Sequence, residues 1–223
     1  MLSIQTDEFL ESIQKGNLSR VNQLLETNPG LAKSKAKSGV SALLLALYYG
    51  RQDIALAIAA KKPVLDIFEA SVLGDLEQLR NLIDRDALLV NSYSPDGFTS
   101  VALAAYLGQK DVTEYLLGKG ANVNAIAKNA TGFTPLTGAI ANNHTEISKL
   151  LVKKGADVNH RYEGGVSPLM EASQNGNLEL VRFLLENGAD PNAKTGDGKT
   201  SMSFAKEKNH VEVVEALKRH GGP

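Results

Sequence analysis

From Thr134 onward the chain repeats itself with a period of 33 to 35 residues. Thr134-Pro135-Leu136 is followed by Ala139 and by Gly155-Ala156-Asp157-Val158-Asn159. One period later come Ser167-Pro168-Leu169, Ala172, Gly176 and Gly188-Ala189-Asp190-Pro191-Asn192. A repeat this long means one supersecondary unit stacked on copies of itself, because a single unit cannot bury its own apolar face. It overrides the prior of one or two compact domains for 223 residues and predicts one elongated domain over 1–223.

With the threonine of Thr134-Pro135-Leu136 as phase marker, equivalent positions fall at Asp7, Ser41, Leu65, Thr99, Thr134, Ser167 and Thr200. Five residues on stand Ser12, Ala46, Ala70, Ala104, Ala139, Ala172 and Ala205, small residues suited to closely packed helices. Nine residues after the marker come Gly16, Gly50, Gly74, Gly108, Asn143, Gly176 and Asn209. Gly and Asn tolerate the left-handed conformation that ends a helix and turns the chain back. The pairs Leu24-Leu25, Leu82-Ile83, Leu116-Leu117, Leu151-Val152 and Leu184-Leu185 then close an amphipathic second helix, which Gly118, Gly155 or Gly188 ends. Ser, Thr or Asp can cap each first helix, with Pro135 and Pro168 at the first helical position. Each unit thus reads as two antiparallel helices and an extended turn. The units span approximately 3–36, 37–62, 63–94, 95–129, 130–162, 163–195 and 196–220.

These residues resemble the ankyrin repeat, whose pattern reads Thr-Pro-Leu-His-x-Ala, Gly-His, Leu-Leu and Gly-Ala-Asp-x-Asn. The resemblance covers nearly the whole chain, is strongest from Gly97 to Asn192, and has the style of small stand-alone bacterial members. It implies an all-α solenoid of about seven helix-turn-helix units with β-hairpin fingers, the end units acting as caps. Two departures stand out. The family's His after Leu is replaced by Leu44, Ala102, Thr137, Met170 and Ser203, so its hydrogen bonds must be lost or supplied otherwise. The step from Ser41 to Leu65 is only 24 residues, with Lys61-Lys62-Pro63 leading almost directly into the next helix. A shortening of this size removes about one hairpin finger, which predicts a gap in the row of fingers between units two and three.

The formal net charge of −1 gives no general attraction to nucleic acid or an anionic membrane. No apolar run reaches the length of a spanning helix. The start Met1-Leu2-Ser3-Ile4-Gln5-Thr6-Asp7-Glu8 lacks the pattern of a signal peptide, and the expected location is the cytoplasm. With no cysteine there is neither a disulfide nor a thiolate nucleophile. Gly196-Asp197-Gly198-Lys199-Thr200 imitates the end of a phosphate-binding loop, but that motif needs a glycine where Ala193 stands. The histidines His144, His160, His210 and His220 show no ligand spacing on a helix face. No catalytic constellation, metal site or cofactor is expected.

The resemblance places a protein partner in the concave face, at the two positions before each turn glycine and on the finger tips. Units two to four carry Tyr48-Tyr49, Val72-Leu73 and Tyr106-Leu107 there, whereas units five to seven carry polar pairs. Tyr93, Phe98, Arg161 and Tyr162 lie near finger bases or tips and complete the candidate surface. Large, rigid, exposed aromatic side chains are typical interface anchors. The alternative is that this strip packs into the space left by the missing finger. Lys35, Lys37, Lys128, Arg161 and Lys194 form a basic row that would be either a solvated edge or a guide for an acidic segment. The expected function is non-catalytic protein binding by a monomer. Alternatives are an inhibitory or antitoxin-like regulator of an enzyme, and a scaffold without a natural ligand.

Overall fold

The computed structural model describes residues 2–221; Met1, Gly222 and Pro223, included in the expected domain, lie outside the described residues. Among the described residues, fourteen α-helices follow one another as seven pairs. They are α1 (Leu2–Gln14) with α2 (Leu18–Thr27), α3 (Ala42–Tyr48) with α4 (Gln52–Ala59), and α5 (Ile67–Leu73) with α6 (Leu76–Arg85). Next come α7 (Ser100–Tyr106) with α8 (Lys110–Gly118), and α9 (Pro135–Ala141) with α10 (Thr145–Lys153). The last pairs are α11 (Pro168–Gln174) with α12 (Leu178–Glu186), and α13 (Ser201–Glu207) with α14 (Val211–Arg219). Short 3-10 turns occupy Pro29–Lys33, Ala87–Asn91 and Glu163–Gly165. No described helix is long and apolar enough to cross a membrane.

The repeat positions do what their chemistry demands. Ala46, Ala70, Ala104, Ala139, Ala172 and Ala205 are all fully buried. The turn residues adopt positive φ throughout, 59° at Asn143 and Asn209 and 68° to 82° at Gly16, Gly50, Gly74, Gly108 and Gly176. Ser41, Thr99, Thr134, Ser167 and Thr200 cap their helices, each side-chain oxygen accepting from the backbone N–H three residues on. Two first helices differ from expectation at the marker. Asp7 lies inside α1, which is longer than the other first helices. The cap of α5 is Asp66 rather than Leu65, since leucine has no oxygen to accept the bond. The left-handed residue after α8 is Gly120, while Gly118 remains helical.

Two of the five positions that lack the family histidine find other side-chain bonds, while Leu44, Ala102 and Met170 are apolar and buried. Thr137 and Ser203 close reciprocal capping boxes with Thr134 and Thr200. In α5 the same position holds Glu69, whose Oε2 accepts from the Asp66 N–H at 3.2 Å. Its Oε1 pairs with Lys62 at 2.6 Å, with only 1% of the Glu69 side chain and 11% of the Lys62 side chain exposed.

Three apolar clusters form a core along the stack, one from α1 to α4, one around α5 to α8, and one from α9 to α14. Side chains also staple neighbouring units at their edge. Asn91, Asn124 and Asn159 each donate to a glycine carbonyl of the next unit and accept a backbone N–H from it. All four histidines bond to backbone carbonyls, which can only accept, so the bonded nitrogen carries the proton. His144 and His210 reach back to the first helix of the preceding unit, at Tyr106 and Gln174.

Among the described residues the finger turns carry isolated bridges, Lys35 to Ser41, Tyr93 to Thr99 and Tyr162 to Val166, and no extended strand. Adjacent turns bond to one another, Lys128 to Gly97, Glu163 to Thr131 and Gly196 to Gly164. Between α4 and α5 the chain runs through 60–66 without such a bridge. A recess of about 310 Å³ lies there, lined by Lys35, Ser41, Asp66, Phe68, Tyr93 and Pro95. The turns on either side close up, and a Cβ on Gly39 would lie 2.9 Å from the Pro95 Cβ.

Candidate partner-binding face

The ends of α3 and α7 and the turns beside them bring part of the expected strip together. Tyr48, at the end of α3, is half-buried and donates from its hydroxyl to Asp96 at 2.6 Å. That bond joins unit two to the finger turn at the start of unit four. Burial, then the hydrogen bond to Asp96, pushes the Tyr48 phenol far above its ordinary value. It remains a donor throughout the neutral range. Tyr48→Phe is expected to lower stability by roughly 1.5–3 kcal/mol, the range for a hydrogen bond to a charged group. Urea unfolding of the variant checks this, and a loss under about 0.5 kcal/mol would show that the bond is immaterial.

Tyr49 caps α3 and is 49% exposed. Val72 does not belong to the surface. It is 2% exposed and joins the N-terminal core cluster. Because α5 starts one residue later, after its cap Asp66, Val72 is the last but one residue of its helix, whereas Tyr48 and Tyr106 end theirs. Leu73, Phe98 and Leu107 are half-buried and pack against the same cluster. Tyr93 donates to the carbonyl of Ile126 at 3.2 Å, and the Lys128 ammonium lies 4.0 Å from its ring centroid. Tyr162 donates to Glu171 and meets Phe133 edge-on, with centroids 5.0 Å apart. Burial and then that bond raise its phenol as well. Arg161 is exposed and donates to the backbone carbonyl of Lys194.

Between these groups lies an apolar pocket of about 250 Å³, lined by Tyr48, Phe98, Ala102, Leu103, Tyr106, Phe133, Thr134 and Gly138. Three of the expected residues, Tyr48, Phe98 and Tyr106, converge on it. The sequence reading missed the others. Phe133 occupies the position before the marker, as Phe98 does one unit earlier. Gly138 sits inside α9, where glycine is less favourable than alanine by roughly 1 kcal/mol, and it forms part of the pocket wall. A Cβ there would stand 3.5 Å from the Tyr106 Cβ, in ordinary contact, at the pocket wall.

The decoy residues serve the fold. Thr200 caps α13, and Lys199 pairs with Glu207 at 2.9 Å. Among the described residues, no group of three or more His, Asp or Glu could hold a metal ion.

Residues 67–162 match the family described as ankyrin repeats (3 copies), and 150–205 that described as ankyrin repeats (many copies). Rat "Ankyrin repeat and SAM domain-containing protein 6" is 35% identical over 100 residues, covering 45% of this chain and 11% of that protein. The "26S proteasome non-ATPase regulatory subunit 10" of Dictyostelium discoideum is 32% identical over 92 residues, 41% of this chain and 39% of that one. A "Putative ankyrin repeat protein" of Rickettsia felis is 28% identical over 161 residues, 72% of this chain and 45% of that one. The chain thus spans about a tenth of the rat relative and less than half of the other two.

Proposed function

The chain belongs to the ankyrin-repeat family, and from that premise we propose that it holds a protein partner on the face of its first helices and finger turns, without catalysis. Ankyrin repeats are in general protein–protein interaction modules. The observation that carries the reading to this face is the open apolar pocket walled by Tyr48, Phe98, Tyr106 and Phe133, with the 49% exposed Tyr49 next to Tyr48 in the chain. Exposed aromatic rings beside a recess are the usual anchors of an interface. Tyr48, Leu73 and Leu107 support the patch from below. The half-exposed ring of Tyr49 and the pocket wall formed by Tyr106 supply the contact area.

Tyr49→Ala with Tyr106→Ala is expected to weaken the native complex at least 10-fold, with each anchor contributing on the order of 1–2 kcal/mol. Affinity purification from the source cell identifies the partner, and calorimetry with the purified pair measures the change. An unchanged affinity in a folded double variant places the binding face elsewhere.

A further inference from the structure

We propose that the pocket receives one bulky uncharged side chain, preferably aromatic, from a partner segment that carries a basic residue on each side of it. This rests on the protein-binding reading and specifies the segment that the face selects. The first argument is size. At about 250 Å³ the pocket falls below the ~300–1,000 Å³ of typical small-molecule sites, and it suits a single side chain. The second is polarity. No charged residue lines it, and its walls are largely aromatic, so an ammonium inserted there would lose its hydration without a partner. Aromatic rings instead gain from edge-to-face or offset contact with another ring.

The third argument is charge at the two ends. On one side Tyr48 leads from the pocket to Asp96, whose carboxylate also accepts from the Ser94 hydroxyl at 2.5 Å. On the other, Phe133 leads through Tyr162 to Glu171. Both carboxylates take hydrogen bonds from neutral hydroxyls, and neither forms an ion pair among the described residues. Glu69, by contrast, has its cation in Lys62. Two of the five basic finger residues are occupied elsewhere: Lys128 lies over Tyr93, and Arg161 is bonded to a backbone carbonyl. Two unneutralised carboxylates flanking an apolar recess complement a cationic segment and disfavour an acidic one.

The chain contains no tryptophan, so a tryptophan in a peptide reports its own burial without background. The probes are three peptides, Gly-Ser-x-Trp-x-Ser-Gly with x as Lys, Glu or Gly, titrated at low salt and followed by emission shift and anisotropy. The Lys peptide is expected to bind saturably with a blue shift, at least 10-fold tighter than the Glu peptide. Added salt should narrow that difference, since exposed charges are screened. Gly138→Leu fills the pocket from the helix wall and is expected to weaken the Lys peptide at least 10-fold. Asp96→Asn keeps an acceptor for Tyr48 and should narrow the Lys-over-Glu preference while leaving the Gly peptide nearly unchanged.

Circular dichroism checks that Gly138→Leu folds. If it does not, Gly138→Ala, whose Cβ makes only an ordinary contact, should still weaken the Lys peptide about 3-fold, as a smaller version of the same obstruction. Equal affinity for the Lys and Glu peptides, no saturable binding at millimolar peptide, or full binding by the folded Gly138 variant overturns the proposal. If the native partner is lost on Tyr49→Ala with Tyr106→Ala but kept on Gly138→Leu, the face stands and the pocket reading falls.

Discussion

Lys62→Met is expected to destabilise the protein by about 3–5 kcal/mol, the scale for removing one member of a buried ion pair. Methionine keeps most of the aliphatic volume of lysine but leaves the Glu69 carboxylate, 1% exposed, without a cation. The cost is the desolvation of that stranded charge rather than the worth of the bridge itself. This makes a second variant informative. Lys62→Met with Glu69→Gln removes both charges, and glutamine can still accept from the Asp66 N–H, so more than half of the lost stability should return. Urea unfolding followed by circular dichroism gives both numbers. Because repeat arrays can unfold in segments, a change in transition width is recorded alongside the midpoint. A loss below about 1 kcal/mol for Lys62→Met would mean that water reaches Glu69, and the ion pair would then not secure the connection between α4 and α5.

Leu151→Ala should cost about 2–5 kcal/mol, while Val152→Ala, its neighbour in the same sequence pair, should cost less than about 1 kcal/mol. Leu151 is fully buried within the C-terminal core cluster, whereas Val152 only packs against its edge. Truncating Leu151 removes apolar contact and leaves a cavity that the stacked helices on either side cannot fully collapse into. The paired measurement tests whether only one residue of each doublet points inward on a helix. Equal losses for the two would contradict the helix orientation described for α10.

The helix grammar was legible because it is local. Ser41, Thr99, Thr134, Ser167 and Thr200 sit at caps, and the turn residues from Gly16 to Asn209 need positive φ, whatever the neighbouring units do. Each of these requirements is met within four or five residues of chain. The errors arose where the period breaks. At Leu65 the marker is not the cap, which is Asp66, although Ala70 and Gly74 keep the repeat phase. Val72, one of the expected surface residues, lies in the core there.

The candidate site was legible only in part. Tyr48, Phe98 and Tyr106 stand out by aromatic type at repeat positions, but the sequence does not say which hydroxyl is already used. Tyr48 is tied to Asp96 and Tyr162 to Glu171, partners 48 and nine residues away, so these rings brace the face as well as lining or bordering it. Phe133 and Gly138 were overlooked because each has an adequate local explanation as finger or helix residue. Their joint meaning depends on α7 and α9 lying side by side.

The amino-acid sequence by itself determined the helix pairs, their caps and turns, and the stacking of one unit on the next, because those follow from short-range backbone chemistry repeated at a fixed period. Only the tertiary structure decided how the shortened connection between α4 and α5 is accommodated. There Gly39 closes on Pro95, Glu69 takes Lys62 as its buried partner, and Tyr48 reaches across to Asp96. Those contacts join groups whose spacing departs from the repeat. Their geometry depends on how far neighbouring units can approach before side chains collide, and no local pattern encodes that distance.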